Sequence, residues 1–197
     1  MQLKLKDISL NTNWVKAGNS SFIYFDEIGS TLDIALDQKY QSNFVGSIVI
    51  TDNQTNGRGT YNKSWFCEPF KDLTFSIILG NQYNFNQILV DEVCKSVLLV
   101  LKNLGIDGYK KEPNDIYIDG KKIAGILLSN LSSINALPYQ AISIGMNINS
   151  NLNGIDSSTE AISTSLLQQT GQNHNREDIL CKLIESIDKA IQKLIYP

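Results

Sequence analysis

Residues 109–128, YKKEPNDIYIDGKKIAGILL, decide the fold class. Residues 116–118 (IYI) and 123–128 (IAGILL) are apolar and partly β-branched runs, as strands require. Between them stands Asp119-Gly120, a dipeptide that tolerates the left-handed φ angles of a tight hairpin turn. Residues 109–111 add a strand candidate upstream and residues 141–148 (AISIGMNI) one downstream, so the centre of the chain reads as a β-rich sheet. Working outward, residues 22–25 (FIYF), 46–51 (GSIVIT) and 73–79 (LTFSIIL) are further strand candidates. Helical spacing of Leu89, Val93, Val97, Val100, Leu101 and Leu104 predicts a helix over 86–104, with Gly105 as its C-cap. Asn175, with Asp178 three residues on, opens a second helix striped by Leu180, Leu183, Ile184, Ile187, Ile191 and Leu194. Ser30 or Thr31 offers an N-cap for a shorter helix running towards Tyr40. Strands and helices mix without regular βαβ alternation, so the class is α+β, with a mixed, largely antiparallel sheet packed with helices.

The 197 residues, 42% hydrophobic and 19% charged, suit one domain that buries about 70% of its unfolded surface. Seventeen Lys and Arg against twenty Asp and Glu give a net charge of −3, which argues against broad phosphate-driven binding to nucleic acid. No apolar run approaches the roughly 20 residues of a membrane span, and the opening MQLKLKDISL lacks the apolar core of a signal peptide. The expectation is a soluble cytoplasmic protein. Cys67, Cys94 and Cys181 show no paired spacing, so neither a disulfide framework nor a zinc site is indicated. Cys94 and Cys181 fall in helical patterns as packing residues, and Cys67 lies in a turn-rich loop. The single histidine, His174, sits in a polar stretch and makes a poor partner for a nucleophile.

Three segments hold residues that packing alone does not require. In Gln54-Thr55-Asn56-Gly57-Arg58-Gly59, followed by Lys63 and Trp65, glycines let the backbone approach an anion while the guanidinium supplies delocalised charge. A solvated loop is the competing reading. In Lys111-Glu112-Pro113-Asn114-Asp115, the hairpin, and Lys121-Lys122-Ile123-Ala124-Gly125-Ile126, alternation places Lys122 on the face of Ala124 and Ile126, for solvent or for an anionic ligand. In Ile144-Gly145-Met146-Asn147-Ile148-Asn149, a glycine and two asparagines suggest close backbone approach and amide recognition, or a bulge.

Taken in order, these blocks resemble the catalytic domain of biotin protein ligases over nearly the whole chain. Ser30-Thr31 is similar to the family's Ser-Thr-Asn at a helix start, and Gln54-x-x-Gly57-Arg58-Gly59 with Trp65 to its arginine-glycine loop. Lys111-x-Pro113-Asn114-Asp115 is similar to its K-W-P-N-D. Residues 122–127 are similar to its K-L-A-G-I-L, and residues 144–149 to its I-G-I-N-V-N. The resemblance implies the biotin/lipoate protein ligase catalytic fold and a two-step reaction. Biotin and ATP give biotinyl-5′-adenylate, and a lysine of a biotin carboxyl carrier domain then attacks the anhydride. It implies ATP and Mg²⁺ as cofactors. Lys122, Arg58 and Asp115 take catalytic roles; Ser30, Thr31, Gln54, Gly57, Arg58, Gly59, Thr60, Lys122 and Gly125 contact biotin; Lys63, Trp65, Asn114 and Asn147 serve ATP. No metal ligand is assigned.

The chain departs from the family where Thr60 replaces an arginine, Asn62 a glycine, Leu32 the asparagine of Ser-Thr-Asn, and Glu112 the tryptophan of K-W-P-N-D. A neutral Thr60 makes no charge-assisted bond to phosphate, so the loop is expected to leak adenylate unless Lys63 or Tyr61 substitutes. The expectation is one catalytic domain over 1–197, with neither a DNA-binding domain before it nor a small β-domain after it, and no repressor role. Oligomeric state is left open, a homodimer being one arrangement. A lipoyl or octanoyl ligase shares the fold, but its R-R-x-S-G-G-G loop is absent. A degenerate biotin-binding paralogue is the other alternative.

Overall fold

The computed structural model describes residues 1–16, 22–41, 43–60, 63–131, 137–152, 159 and 162–196. Seven strands form one sheet: β1 (Phe22–Ile28), β2 (Ile48–Gln54), β5 (Leu73–Gly80), β9 (Tyr139–Met146), β8 (Lys121–Leu131), β7 (Asp115–Ile118) and β6 (Tyr109–Lys111), in that spatial order. Only the β1–β2 pair is parallel; it is joined through the short helices α1 (Thr31–Leu36) and α2 (Gln38–Gln41). All other pairs are antiparallel, β7 and β8 through the hairpin dipeptide. Asp119 and Gly120 adopt φ of 49° and 77°, the two left-handed angles of the tight turn. A small hairpin, β3 (Gly57–Arg58) with β4 (Ser64–Trp65), stands apart from the sheet.

The two long helices, α3 (Gln87–Asn103) and α5 (Arg176–Ile195), the latter preceded by the short α4 (Leu166–Thr170), cover one sheet face. The later one begins as the sequence predicts, with the Asn175 side chain accepting from the Asp178 amide, and Asn86 caps α3 in the same way by accepting from the Ile88 amide. The core under them takes one side of each central strand, including Ile48 and Ile50 of β2 and Phe75, Ile77 and Leu79 of β5. The opposite face carries Val49, Ile78 and Ala141, which α1 covers with Leu32 and Ala35.

Two sequence expectations are corrected. The helix opened at Ser30 stops at Leu36, because Asp37 turns extended (ψ 126°) and its carboxylate accepts the Lys39 amide at 3.0 Å, so it ends one helix and caps the next. The alternation assigned to Lys122 fails one residue later. The β7–β8 pairing shifts register between Ile116 and Tyr117, which leaves Ile123 as an extra residue. Ile123, Ala124 and Ile126 therefore all join the helix-covered core, while Lys122 shares the other face with Gly125.

Residues 1–16 run as a strap beside α5. Leu3, Leu10 and Val15 are buried, and carboxylates accept the strap's amides: Asp52 that of Leu3, Glu177 that of Lys4, Glu185 that of Asn11, and Asp188 those of Asn13, Trp14 and Val15. Beside it, Asp72 is buried and accepts the Glu68 and Ile148 amides at 2.9 Å each. Burial pushes its carboxyl up to about 6 despite those bonds. The folded state thus holds the proton more tightly than the unfolded one. This stabilisation is full below about pH 4 and lost as pH rises through 6, amounting to about 3 kcal/mol. In urea titrations, the chain should lose about that much between pH 4 and pH 7 relative to Asp72→Asn; a pH-independent difference refutes it. Among the described residues no helix is long and apolar enough to cross a membrane.

Candidate active site

Beyond the patch covered by α1, the same sheet face turns small and polar. Thr74 pairs with Gly145, Ser76 with Ser143 and Gly125 with Gly145 across adjacent strands, so the floor there lacks the bulk to support another helix. Over it opens a cleft lined by Thr31, Gln54, Trp65, Lys122 and Ser143 among others. The β3–β4 hairpin roofs part of it with Trp65. The indole lies on the glycine pair: a Cβ at Gly145 would overlap the ring, and one at Gly125 would stand 3.2 Å from its Cζ3. Close approach of a ring, rather than a turn, is what requires these two glycines. Among the described residues the Trp65 Nε1 is buried without a partner.

At the open end, the Lys122 ammonium stands 2.7 Å from Asp115 and 5.4 Å from the centre of the Trp65 ring. Arg58 pairs at 2.7 Å with Asp33 in the first turn of α1. At the buried end, the Gln54 Oε1 accepts the Thr31 amide at 2.9 Å and the Thr31 hydroxyl at 3.2 Å. The Ser76 hydroxyl donates to Thr31 at 2.9 Å and lies 2.7 Å from the Ser143 hydroxyl. The cavity thus has hydrogen-bonding groups at one end and cations at the other.

Eleven residues singled out from the sequence line this cavity: Ser30, Thr31, Gln54, Arg58, Gly59, Thr60, Trp65, Asn114, Asp115, Lys122 and Gly125. Three do not. Gly57 is buried behind the Gln54 side chain and the Trp65 carbonyl. Lys63 is exposed, and its carbonyl accepts the Gly59 amide at 2.7 Å. Asn147 donates to the Thr164 carbonyl at 2.9 Å. Ser30 occupies the N-cap of α1 without a side-chain capping bond. Tyr61 and Asn62 lie outside the described residues. Cys67 is buried, and burial pushes its thiol up, which disfavours a reactive thiolate. His174 hydrogen-bonds the Thr170 hydroxyl, away from the cavity lining. Sequence reasoning gave no site role to Leu32, Thr74, Ile126, Leu127, Ser143 and Ile144, which also line the cavity, whereas Gly145 was marked for close backbone approach and has it under the Trp65 ring. The available signal was the i, i+2 spacing of Thr74 with Ser76 and of Ser143 with Gly145, which interrupts one face of two otherwise apolar strands.

The Biotin/lipoate A/B protein ligase family matches residues 24–149, the span from β1 through the Ile144–Asn149 block. The chain belongs to this family. Its relatives include the bifunctional ligase/repressor BirA of Bacillus subtilis (strain 168), 28% identical over 170 residues, which are 85% of this chain and 52% of that protein. BirA of Escherichia coli (strain K12) is 28% identical over 154 residues, 75% of this chain and 46% of that protein. The chain therefore spans about half the length of the curated relatives it matches. Among solved structures, the Aquifex aeolicus biotin protein ligase in complex with biotin and ATP superposes with a TM-score of 0.73 at 27% identity, covering 88% of this chain and 71% of that one. The fold class predicted from the hairpin is that of the family.

Proposed function

We propose that residues 1–197 act as one catalytic domain that activates biotin with ATP and transfers it to a lysine of a biotin carboxyl carrier domain in the cytoplasm. The observation that carries this reading is the polarity of the cavity: amide and hydroxyl groups at its buried end fit a ureide, and Lys122 and Arg58 at its open end fit a carboxylate beside phosphates. In the first step a biotin carboxylate oxygen bonds to the α-phosphorus of ATP, and the bond to the bridging oxygen breaks, releasing pyrophosphate. Two anions are pressed together, so a fixed cation lowers the barrier by compensating charge that builds up in the transition state. Lys122 supplies it, held in place by Asp115 and the Trp65 ring. In the second step an unprotonated lysine amine attacks the acyl carbon, the amide forms and AMP leaves. Asp115, the carboxylate among the lining residues, accepts the proton that the incoming ammonium must lose.

Magnesium fits this site as a phosphate-bound ion. The ion would neutralise the polyphosphate, and Asp115 is the carboxylate among the lining residues that could help hold it. The test is ATP–pyrophosphate exchange with biotin, lipoate or octanoate, followed by mass spectrometry of a carrier domain. Exchange with biotin and a biotinyl mass increment are expected; exchange with lipoate or octanoate alone, or with none, overturns the reading.

Thr60 lines the cavity, where the family's arginine would add a charge-assisted bond to the adenylate phosphate. Thr60→Arg should slow adenylate release about tenfold in stopped-flow, the effect of about 1.4 kcal/mol. It should also reduce streptavidin-detected labelling of bystander proteins. Equal release from both proteins refutes the leak.

A further inference from the structure

We infer that Ser143 accepts a hydrogen bond from an N–H of the bound head group, and that Ser76 enforces this by holding the Ser143 proton. The inference rests on the proposed biotin ligase reading and deepens it, since it assigns two serines that neither the sequence blocks nor the family match singles out.

A backbone amide can only donate, so the Gln54 atom 2.9 Å from the Thr31 nitrogen must be its carbonyl oxygen, and the side-chain amide cannot be reversed. That oxygen is also the acceptor for the Thr31 hydroxyl at 3.2 Å, which commits the single Thr31 proton. Ser76, 2.9 Å from the Thr31 oxygen, must then donate to it. With its only proton so used, Ser76 meets the Ser143 hydroxyl at 2.7 Å as an acceptor, and Ser143 must donate. The chain therefore runs one way, from Ser143 through Ser76 and Thr31 to Gln54. Ser76 is fully buried and Thr31 nearly so, so water has little access with which to reverse it.

Two consequences reach the cavity. Gln54, which lines the cavity, has only its amide nitrogen, a donor, left to offer a ligand. Ser143, which lines the cavity, presents only lone pairs. A head group that satisfies both needs a carbonyl for Gln54 and an adjacent N–H for Ser143, which is the pattern of a cyclic urea. A dithiolane or an alkyl tail offers no N–H, and a site with a committed acceptor rejects what leaves it unpaired. Ser143 is thus a specificity-determining contact and Ser76 a positioning residue acting through it.

The experiment compares biotin with two cyclic carbamate analogues, each with a ring oxygen in place of one ureide N–H, in ATP–pyrophosphate exchange by the full chain. The carbamate lacking the N–H that faces Ser143 should show a KM at least tenfold above that of biotin. Ser143→Ala should raise the KM for biotin about tenfold with kcat unchanged, and leave the KM for that carbamate within twofold. Ser76→Ala should narrow the biotin-to-carbamate ratio with Ser143 intact, because Ser143 can then turn its proton to the ligand. A structural role would not move that ratio. Equal losses for biotin and both carbamates in Ser143→Ala, or an unchanged ratio in Ser76→Ala, overturn this inference while leaving the ligase reading in place. A parent protein with no biotin-dependent exchange overturns both.

Discussion

Lys122→Ala should lower the rate of biotin-dependent pyrophosphate exchange by 10²–10³, about 2.7–4 kcal/mol, while Lys121→Ala stays within a few-fold of the parent. The contrast between adjacent lysines comes from the β8 register. Lys122 faces the cavity beside Gly125, pairs with Asp115 at 2.7 Å and sits over Trp65. Lys121 is exposed beside the turn, paired across the hairpin with Ile118. Only Lys122 can meet charge as it develops between carboxylate and α-phosphate. The loss should appear in kcat and in kcat/KM together, since the cation acts mainly in the transition state. Lys122→Ala should keep its circular dichroism, because the lost ion pair is partly exposed. Equal losses for the two variants would refute the assignment of Lys122 to the site.

The hairpin that produces this geometry was half legible. Asp119-Gly120 is a local signal, needing no knowledge of what the strands pair with, and it located both strands and the turn. The bulge at Ile123 depends on how β7 lies against β8, and no pattern within β8 alone reports it. Alternation therefore separated Lys122 from Lys121 but gave it the wrong neighbours: Ala124 and Ile126 face the core, and Lys122 faces a ring and a carboxylate. The site shows the same division. Residues with unusual chemistry at strand ends, such as Gln54, Arg58 and Asp115, stood out because packing does not ask for them. The floor residues Thr74, Ser76 and Ser143 were missed because they sit inside runs that read as buried strands, and only the position of α1 decides which stretch of that face stays open.

Least legible of all was Asp52, which lies just past the strand candidate 46–51 but is held within β2, with its side chain buried to 0% exposure. Its partner Arg176, 5% exposed, is the first residue of α5, where the helix dipole disfavours a cation. The pair, 2.7 Å apart, explains both positions. Arg176 also donates to the Asp72 and Met1 carbonyls, and Asp52 accepts the Leu3 amide and the Tyr24 hydroxyl, so the pair fastens the amino-terminal strap, β1, β2 and α5 together. Removing one partner leaves a buried charge that two neutral donors cannot compensate. Arg176→Met should therefore destabilise by about 3–5 kcal/mol, lowering Tm by roughly 10 °C or more. Removing both charges lifts that penalty, so Asp52→Leu combined with Arg176→Met should recover most of the loss. Because the pair lies on the helix-covered side of the sheet, exchange activity at low temperature should survive in both. A single variant within about 1 kcal/mol of the parent in urea titration, or a double variant no more stable than the single one, would show that the strap is held by its apolar residues and carboxylate-bound amides rather than by this ion pair.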